Sequence, residues 1–331
     1  MQQNQPTRSI PAQKPLLELQ KGDVFDGFLL VKASEQRTAS NGGKYLDMTL
    51  GDISGEMNAK MWDGTISAPP VGMPIRVRGL IQEFKDRAQF RVDRMRPSTP
   101  DDHVDMSTLI PCAPFEPEQM FFELKDRAER IGNDDLRKIV LFRLEESEVP
   151  LMYFPAAAKL HHAERSGLLH HTSTMLKTAQ AVCRIYTDLD EDLLCAGVIL
   201  HDLAKLTELN SDELGLANEY TAQGQLLGHI TQGIAELARA ARELDTDPEL
   251  LLMLQHMILA HHNQPDYGSP KRPMFPEAQM LHLLDLMDAQ MYEMRSVLKT
   301  LNPGSFSGNI WSLDQRKLYR RKGALEAHEE V

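Results

Sequence analysis

Cysteine is scarce in this chain: there are three, Cys112, Cys183 and Cys195, with no CxxC spacing. That excludes a disulfide framework and a zinc ribbon. Cys183 and Cys195 fall in apolar helical runs and are expected in the core, as free cysteines usually are. An excess of positive charge is also missing. The net charge is -12 and the sequence pI is about 5.5, which excludes a protein that simply coats nucleic acid. No stretch approaches the roughly 20 apolar residues of a membrane span. Met1 to Pro15 is polar and rich in Gln and Pro, without the apolar segment of a signal peptide. The expectation is a soluble, cytoplasmic protein with no membrane partner. No internal repeat is visible.

What remains is an ordinary globular composition, 42% hydrophobic and 25% charged over 331 residues, long enough for two domains. The charge is uneven. Residues 15–97 hold 12 Lys and Arg against 11 Asp and Glu, so the acidity sits in the rest of the chain. An acidic domain that handles phosphates needs metal ions to invert its local field.

From Lys21 the texture is β. Val24 to Val31, Lys44 to Leu50, Glu56 to Trp62, Ile75 to Ile81 and Gln89 to Val92 read as five short strands. Asn41-Gly42-Gly43 and Gly51 to Gly55 supply turns. Five such strands suggest a small barrel or sandwich. Pro97 to Pro117 carries five prolines among Asp and Ser and reads as a linker or extended strap. Beyond it the periodicity is helical: 119–131, 134–147, 168–186, 191–206, 222–244, 248–262 and 276–299. Asn133, Asp190 and Asp247 stand where N-caps belong.

His170, His171, His201, His229, His256, His261 and His262 lie in or beside these helices. A lone histidine is usually structural, but here the joint pattern matters. His201-Asp202 follows the apolar run Leu193 to Leu200, and burying that pair is costly unless something partners it. A divalent ion does so, and imidazole with carboxylate suits manganese, iron, cobalt, nickel or zinc. His261-His262 ends another apolar helix, and Asp285 is an acid inside the run Leu281 to Leu286. Asp288 shares its face and is its rival. Lys205, four residues after His201, is expected on the same helical face, able to approach a phosphate.

His171, His201-Asp202 and Asp285, with His229 and His261-His262 between the last two elements, resemble the signature of HD-domain phosphohydrolases over about residues 160–290. Leu160 to Ala163, Ser166 to His171, Ile199 to Lys205, Gly224 to Ile230, Gly268 to Pro273 and Leu313 to Tyr319 are similar to YhaM-type 3′-5′ exoribonucleases. That resemblance implies a multidomain α and β chain, an N-terminal OB-type barrel followed by an all-α HD domain. It implies a disordered stretch at 1–15, the OB domain at 16–97, the linker at 98–117, the HD domain at 118–302 and an extension with a polar tail at 303–331. His171, His201, Asp202 and Asp285 would hold one metal. Asp202 would bridge to a second, also held by His229, His261 and His262. His201, Asp202 and Lys205 would be the catalytic group, and manganese the leading choice of ion. Two such ions activate a water for in-line attack on phosphorus.

His162, Lys205, Lys271 and Arg272 are expected to meet the phosphate or the strand. In the β domain, Trp62, Arg76 and Arg78 are the expected contacts, since OB-folds stack bases on aromatics beside positive charge. Tyr45 and Phe90 are expected in the barrel core. The implied partner is single-stranded RNA, with single-stranded DNA and assembly as a homo-oligomer left open. The rival reading is an HD phosphohydrolase of nucleotides or another small phosphoester, with the barrel as an assembly or gating module.

Overall fold

The computed structural model describes residues 13–323, apart from 41, 64, 85–86 and 159–160. The expected disorder of the first twelve residues, Asn41 of the first turn, Leu160 of the histidine motif and the polar tail from Ala324 lie outside the described residues. The chain divides into two compact units, 1–111 and 112–331.

The first unit is a closed five-stranded barrel: β1 Val24–Thr38, β2 Lys44–Asp52, β3 Gly55–Met61, β4 Pro74–Phe84 and β5 Arg87–Pro97. The order around the barrel is β1-β2-β3-β5-β4, the arrangement of an OB-type fold. All pairings are antiparallel except β3 with β5. Strict alternation drives closure. On β4, Ile75, Val77 and Ile81 are buried while Arg76 and Arg78 are exposed. Phe90 is fully buried, edge-on to Phe25 at 5.8 Å between centroids. Each such side chain contributes about 1.5–3 kcal/mol when buried.

Two stretches differ from their expected character. Gln13 is laid on β1, exchanging hydrogen bonds with both backbone groups of Phe28 (2.9 and 3.0 Å). Residues after Pro97 are not an extended strap. They form two short 3-10 turns, Pro100–Asp102 and Met106–Thr108, with Leu109 and Ile110 buried.

The second unit is helical: α1 Pro117–Glu129, α2 Asp134–Leu151, α3 Gly167–Cys183, α4 Glu191–Leu200, α5 Lys205–Glu208, α6 Ala222–Leu244, α7 Pro248–Ala260 and α8 Pro276–Thr300. The three caps expected from sequence are formed. Asn133, Asp190 and Asp247 accept from backbone N–H groups of the first turns of α2, α4 and α7. From Leu193 to Leu200, α4 is buried on every side, packed by α1, α2, α3, α7 and α8. Cys183 and Cys195 are in this core. A small hairpin, β6 Leu209–Ser211 and β7 Ala217–Tyr220, was not anticipated. Among the described residues, no helix is long and apolar enough to cross a membrane.

Candidate metal centre

Helix α4 stops at Leu200, so His201-Asp202 lies in the turn that follows rather than inside the helix. Lys205 opens the next short helix, and its expected place on one helical face with His201 does not hold. The turn instead folds Lys205 back onto Asp202, with Nζ 2.7 Å from Oδ2. Asp202 is the hub. Its Oδ2 faces His201 Nε2 at 3.3 Å and His171 Nε2 at 3.8 Å. Its Oδ1 faces His229 Nε2 at 3.5 Å and His261 Nε2 at 3.8 Å. Asp285 Oδ1 approaches His171 Nε2 at 3.4 Å. His262 stands beside His261 and His229, at ring distances of 4.0 and 5.2 Å.

The outer nitrogens decide what the inner ones are. Nδ1 of His201 donates to the Val198 carbonyl at 2.8 Å, and Nδ1 of His261 to the Ile258 carbonyl at 2.7 Å. A carbonyl only accepts, so in each ring Nδ1 carries a proton and Nε2 is the nitrogen turned to Asp202. His171 Nδ1 donates to Asp288 Oδ2 at 2.7 Å, and His229 Nδ1 to Glu208 at 3.0 Å. All four rings are thus turned the same way. The Nε2 atoms of His201, His229 and His261 and Asp202 Oδ1 are buried without a hydrogen-bond partner, while His171 Nε2 faces Asp285. A buried acceptor left unmatched costs about 1–3 kcal/mol. Donors of this type spaced 3.3–3.8 Å apart suit an ion that takes ligands at about 2.0–2.2 Å. Divalent metal ions fit the residues present, with outer partners of the kind that orient ligating histidines.

Local geometry explains the aim of two ligands. Gly228 interrupts α6 at φ 67°, ψ 164°, a conformation essentially reserved for glycine. The break presents the His229 backbone N–H to Glu208 Oε1 at 3.0 Å, so one carboxylate fixes both backbone and ring. At the start of α3, a Cβ on Gly167 would meet the His162 carbonyl oxygen at 2.0 Å. Glycine there lets the 161–166 turn close over the helix that carries His171.

The electrostatics follow burial and neighbours. Burial opposes ionisation of Asp202, but His201 and Lys205 outweigh it and hold the carboxyl well below its ordinary range. Burial pushes His261 well down, with His262 and His201 adding to it. Burial also pulls His171 down, yet Asp285 and Asp288 overcome it and raise it to about 9. Without a cation, a proton takes that place. Burial, then Lys205, drive His161 down to about 3, so this ring is neutral.

The expectation for His162 is corrected. It is 1% exposed, with Nε2 on Asp288 Oδ2 at 2.8 Å and Nδ1 3.1 Å from His170, and it stacks near Tyr292. It backs His171 through Asp288 and has no free edge for a strand. His161, whose ring centre is 5.8 Å from that of His171, is nearer the ligands. His170 bonds Glu164 at 2.9 Å, and His256 accepts from Met274 N at 3.1 Å, so neither joins the cluster. Lys271 and Arg272 are exposed. Their loop is tied down by Ser269, which accepts from His262 N at 3.0 Å. Glu208 was missed by sequence reasoning, because one acid in a short polar turn carries no signal of its own.

On the barrel, Trp62 is 59% exposed and stacks on Tyr45, centroids 4.7 Å apart. Tyr45 is therefore not a core residue: it lies half-exposed on the outer face with Lys60 Nζ 4.8 Å above its ring. Arg76 and Arg78 sit elsewhere, both against Asp26 at 3.3 and 4.0 Å.

Residues 168–290 match the HD domain family. The chain is 37% identical over 302 residues to the 3′-5′ exoribonuclease YhaM of Bacillus subtilis, covering 90% of this chain and 95% of that one. It is 38% identical over 310 residues to the YhaM of Listeria welshimeri, covering 93% and 98%. The chain belongs to the YhaM family. The barrel is also similar to the second OB-fold domain of replication protein A from Methanococcus maripaludis, at 16% identity, 25% of this chain, 92% of that one and a TM-score of 0.22. The strand order carries the OB assignment without it. In YhaM terms the HD match contains every residue of the cluster, from His171 to Asp288.

Proposed function

We propose that this chain is a metal-dependent 3′-5′ exoribonuclease that shortens single-stranded RNA to nucleoside 5′-monophosphates in the cytoplasm. The observation that carries it is the convergence of buried, unpartnered Nε2 atoms on both oxygens of Asp202, in a chain of the YhaM family. The donors divide into two sets. His171, His201, Asp202 Oδ2 and Asp285 would hold one ion. Asp202 Oδ1, His229, His261 and His262 would hold the second. Manganese is the leading choice, with iron, cobalt, nickel and zinc behind it. When bound, such a pair lowers the pKa of a water and stabilises charge on the phosphate oxygens.

The chain's own residues do the rest. Asp288, Glu208 and the Val198 and Ile258 carbonyls fix the four imidazoles, so no reorganisation is needed during turnover. Lys205 keeps Asp202 ionised and presents an ammonium at the same spot, where a phosphate oxygen can share it. Lys271 and Arg272 offer exposed charge on an anchored loop. Neutral His161 can donate to a phosphate oxygen without adding charge. Tyr45 and Trp62 give the barrel a stacking platform for unpaired bases.

The test is a time course on 5′-labelled single-stranded RNA with manganese, with and without chelator. The expected result is a ladder shortening from the 3′ end, absent with chelator. Intact RNA alongside phosphate released from nucleotides would replace this reading with a small-molecule phosphohydrolase. Faster loss of a single-stranded DNA of the same sequence would move the substrate to DNA.

A further inference from the structure

The segment after α8 is unlike the rest of this acidic chain. Residues 303–323 contain Arg316, Lys317, Arg320, Arg321 and Lys322 against a single acid, Asp314. The segment folds as an arm whose two limbs pair through Phe306 with Tyr319 and Ile310 with Arg316. Its base is locked to the helix end, where Arg320 Nη1 donates to the Leu301 carbonyl at 2.6 Å. Leu313 and Leu318 are buried and pin it down.

What the arm turns outward is aromatic and cationic. Trp311 is 75% exposed, and the rings of Phe306 and Tyr319 lie 4.9 Å apart, tilted by 43°, with most of Phe306 in water. Trp and Phe this exposed forgo the burial that large rings normally gain. Lys317, Arg321 and Lys322 are exposed and, among the described residues, form no ion pair. On the barrel Arg37, Lys60, Arg76, Arg78, Arg91 and Arg96 each face a carboxylate, while Lys44 and Arg94 are exposed without one among the described residues. The tip of the arm also turns back along α8, where the Ser312 hydroxyl bonds Glu293. Glu293 is two helical turns from Asp285, about 12 Å along the axis at 1.5 Å per residue.

We propose that this arm is a second binding site for single-stranded RNA, with Trp311 and the Phe306–Tyr319 pair stacking bases while Lys317, Arg321 and Lys322 bind phosphates. It rests on the reading of the chain as an enzyme of RNA. Unpaired cations beside exposed rings are the combination that holds unpaired strands. A strand delivered to the cluster would pass the arm within a few nucleotides.

The experiment measures binding, not turnover. Full-length Asp202→Ala protein is titrated with a fluorescent single-stranded 20-nucleotide RNA over a range of salt concentrations. Trp311→Ala in that background is expected to weaken binding about tenfold, with Trp311→Phe restoring most of it. Replacing Lys317, Arg321 and Lys322 together by Ala is expected to reduce the log–log salt slope by about 2, at about 0.7 for each phosphate of a single strand that is no longer neutralised. Thermal melts that match the parent show that the variants fold. If the parent binds and the arm variants bind as tightly with an equal slope, the arm proposal is overturned and the RNA reading stands. If the parent binds no RNA, both fall. A change in sedimentation for Trp311→Ala without a change in RNA affinity would make the arm an interface between copies of the chain, and overturn the proposal.

Discussion

The sharpest prediction concerns the stability of the helical unit with and without metal. Four buried atoms in the cluster, the Nε2 of His201, His229 and His261 and Asp202 Oδ1, have no hydrogen-bond partner within the protein, while His171 Nε2 faces Asp285. At about 1–3 kcal/mol each they form a local deficit of several kcal/mol. Metal ions that satisfy them bind the folded chain and not the unfolded one. At a hundred times Kd the gain is about 2.7 kcal/mol for one site, since stabilisation follows RT ln(1 + [L]/Kd). A unit of this size shifts by roughly 2–4 °C per kcal/mol, so the midpoint should rise by about 5–11 °C. The assay is thermal unfolding of the full chain followed by far-UV circular dichroism, which reads the helices. Chelator-treated protein is compared with protein in saturating manganese. Asp202→Ala, which removes the carboxylate shared by both donor sets, should lose more than half of the rise. An unchanged midpoint in the parent, or a full rise in Asp202→Ala, would refute the argument that these atoms await a cation.

Further consequences follow from the partners around the cluster. Glu208→Ala leaves His229 without the acceptor that fixes its ring and backbone, and should lower metal affinity about 10–100-fold. Unchanged affinity by calorimetry would remove Glu208 from that role. Asp285→Asn should reduce hydrolysis more than Asp288→Asn, because Asp285 faces the inner nitrogen of His171 and Asp288 the outer one. The opposite ranking in single-turnover rates would exchange their roles. Trp62→Ala should raise KM for long RNA about fivefold or more while scarcely changing it for dinucleotides, since a stacked base contributes about 1–3 kcal/mol. An equal loss on both substrates would show that Trp62 does not bind the strand.

The features legible in the sequence were those carried by local patterns. Alternation on β4 and apolar spacing along α6 and α8 mark their elements because one face of each must be buried. Asn133, Asp190 and Asp247 mark helix starts because a cap acts within three residues. The inner donors of the cluster were also visible, as ionisable residues in apolar runs. The partners that orient them were not. Glu208 reaches His229 across 21 positions and Asp288 reaches His162 across 126. His162 was misplaced for the same reason: adjacent histidines in a turn give no sign of which ring points inward. Tyr45 was misread because its stacking partner, Trp62, lies just past the end of the next strand.

The pairing of the barrel arginines has one more consequence. A phosphate that approaches Arg76 or Arg78 meets Asp26, one carboxylate shared between the two guanidiniums. The three groups keep one excess positive charge, and the carboxylate competes with the phosphate for it. Asp47 imposes the same competition at Arg37 and Lys60. These acids weaken, without cancelling, the hold of this surface on backbone charge, which duplex and single strand share. On the proposed reading the ring of Trp62 takes the face of a base instead, which only an unpaired strand exposes. In that proposed mode the internal ion pairs would favour an unpaired strand, by weakening what both forms carry and leaving unopposed what only one can show.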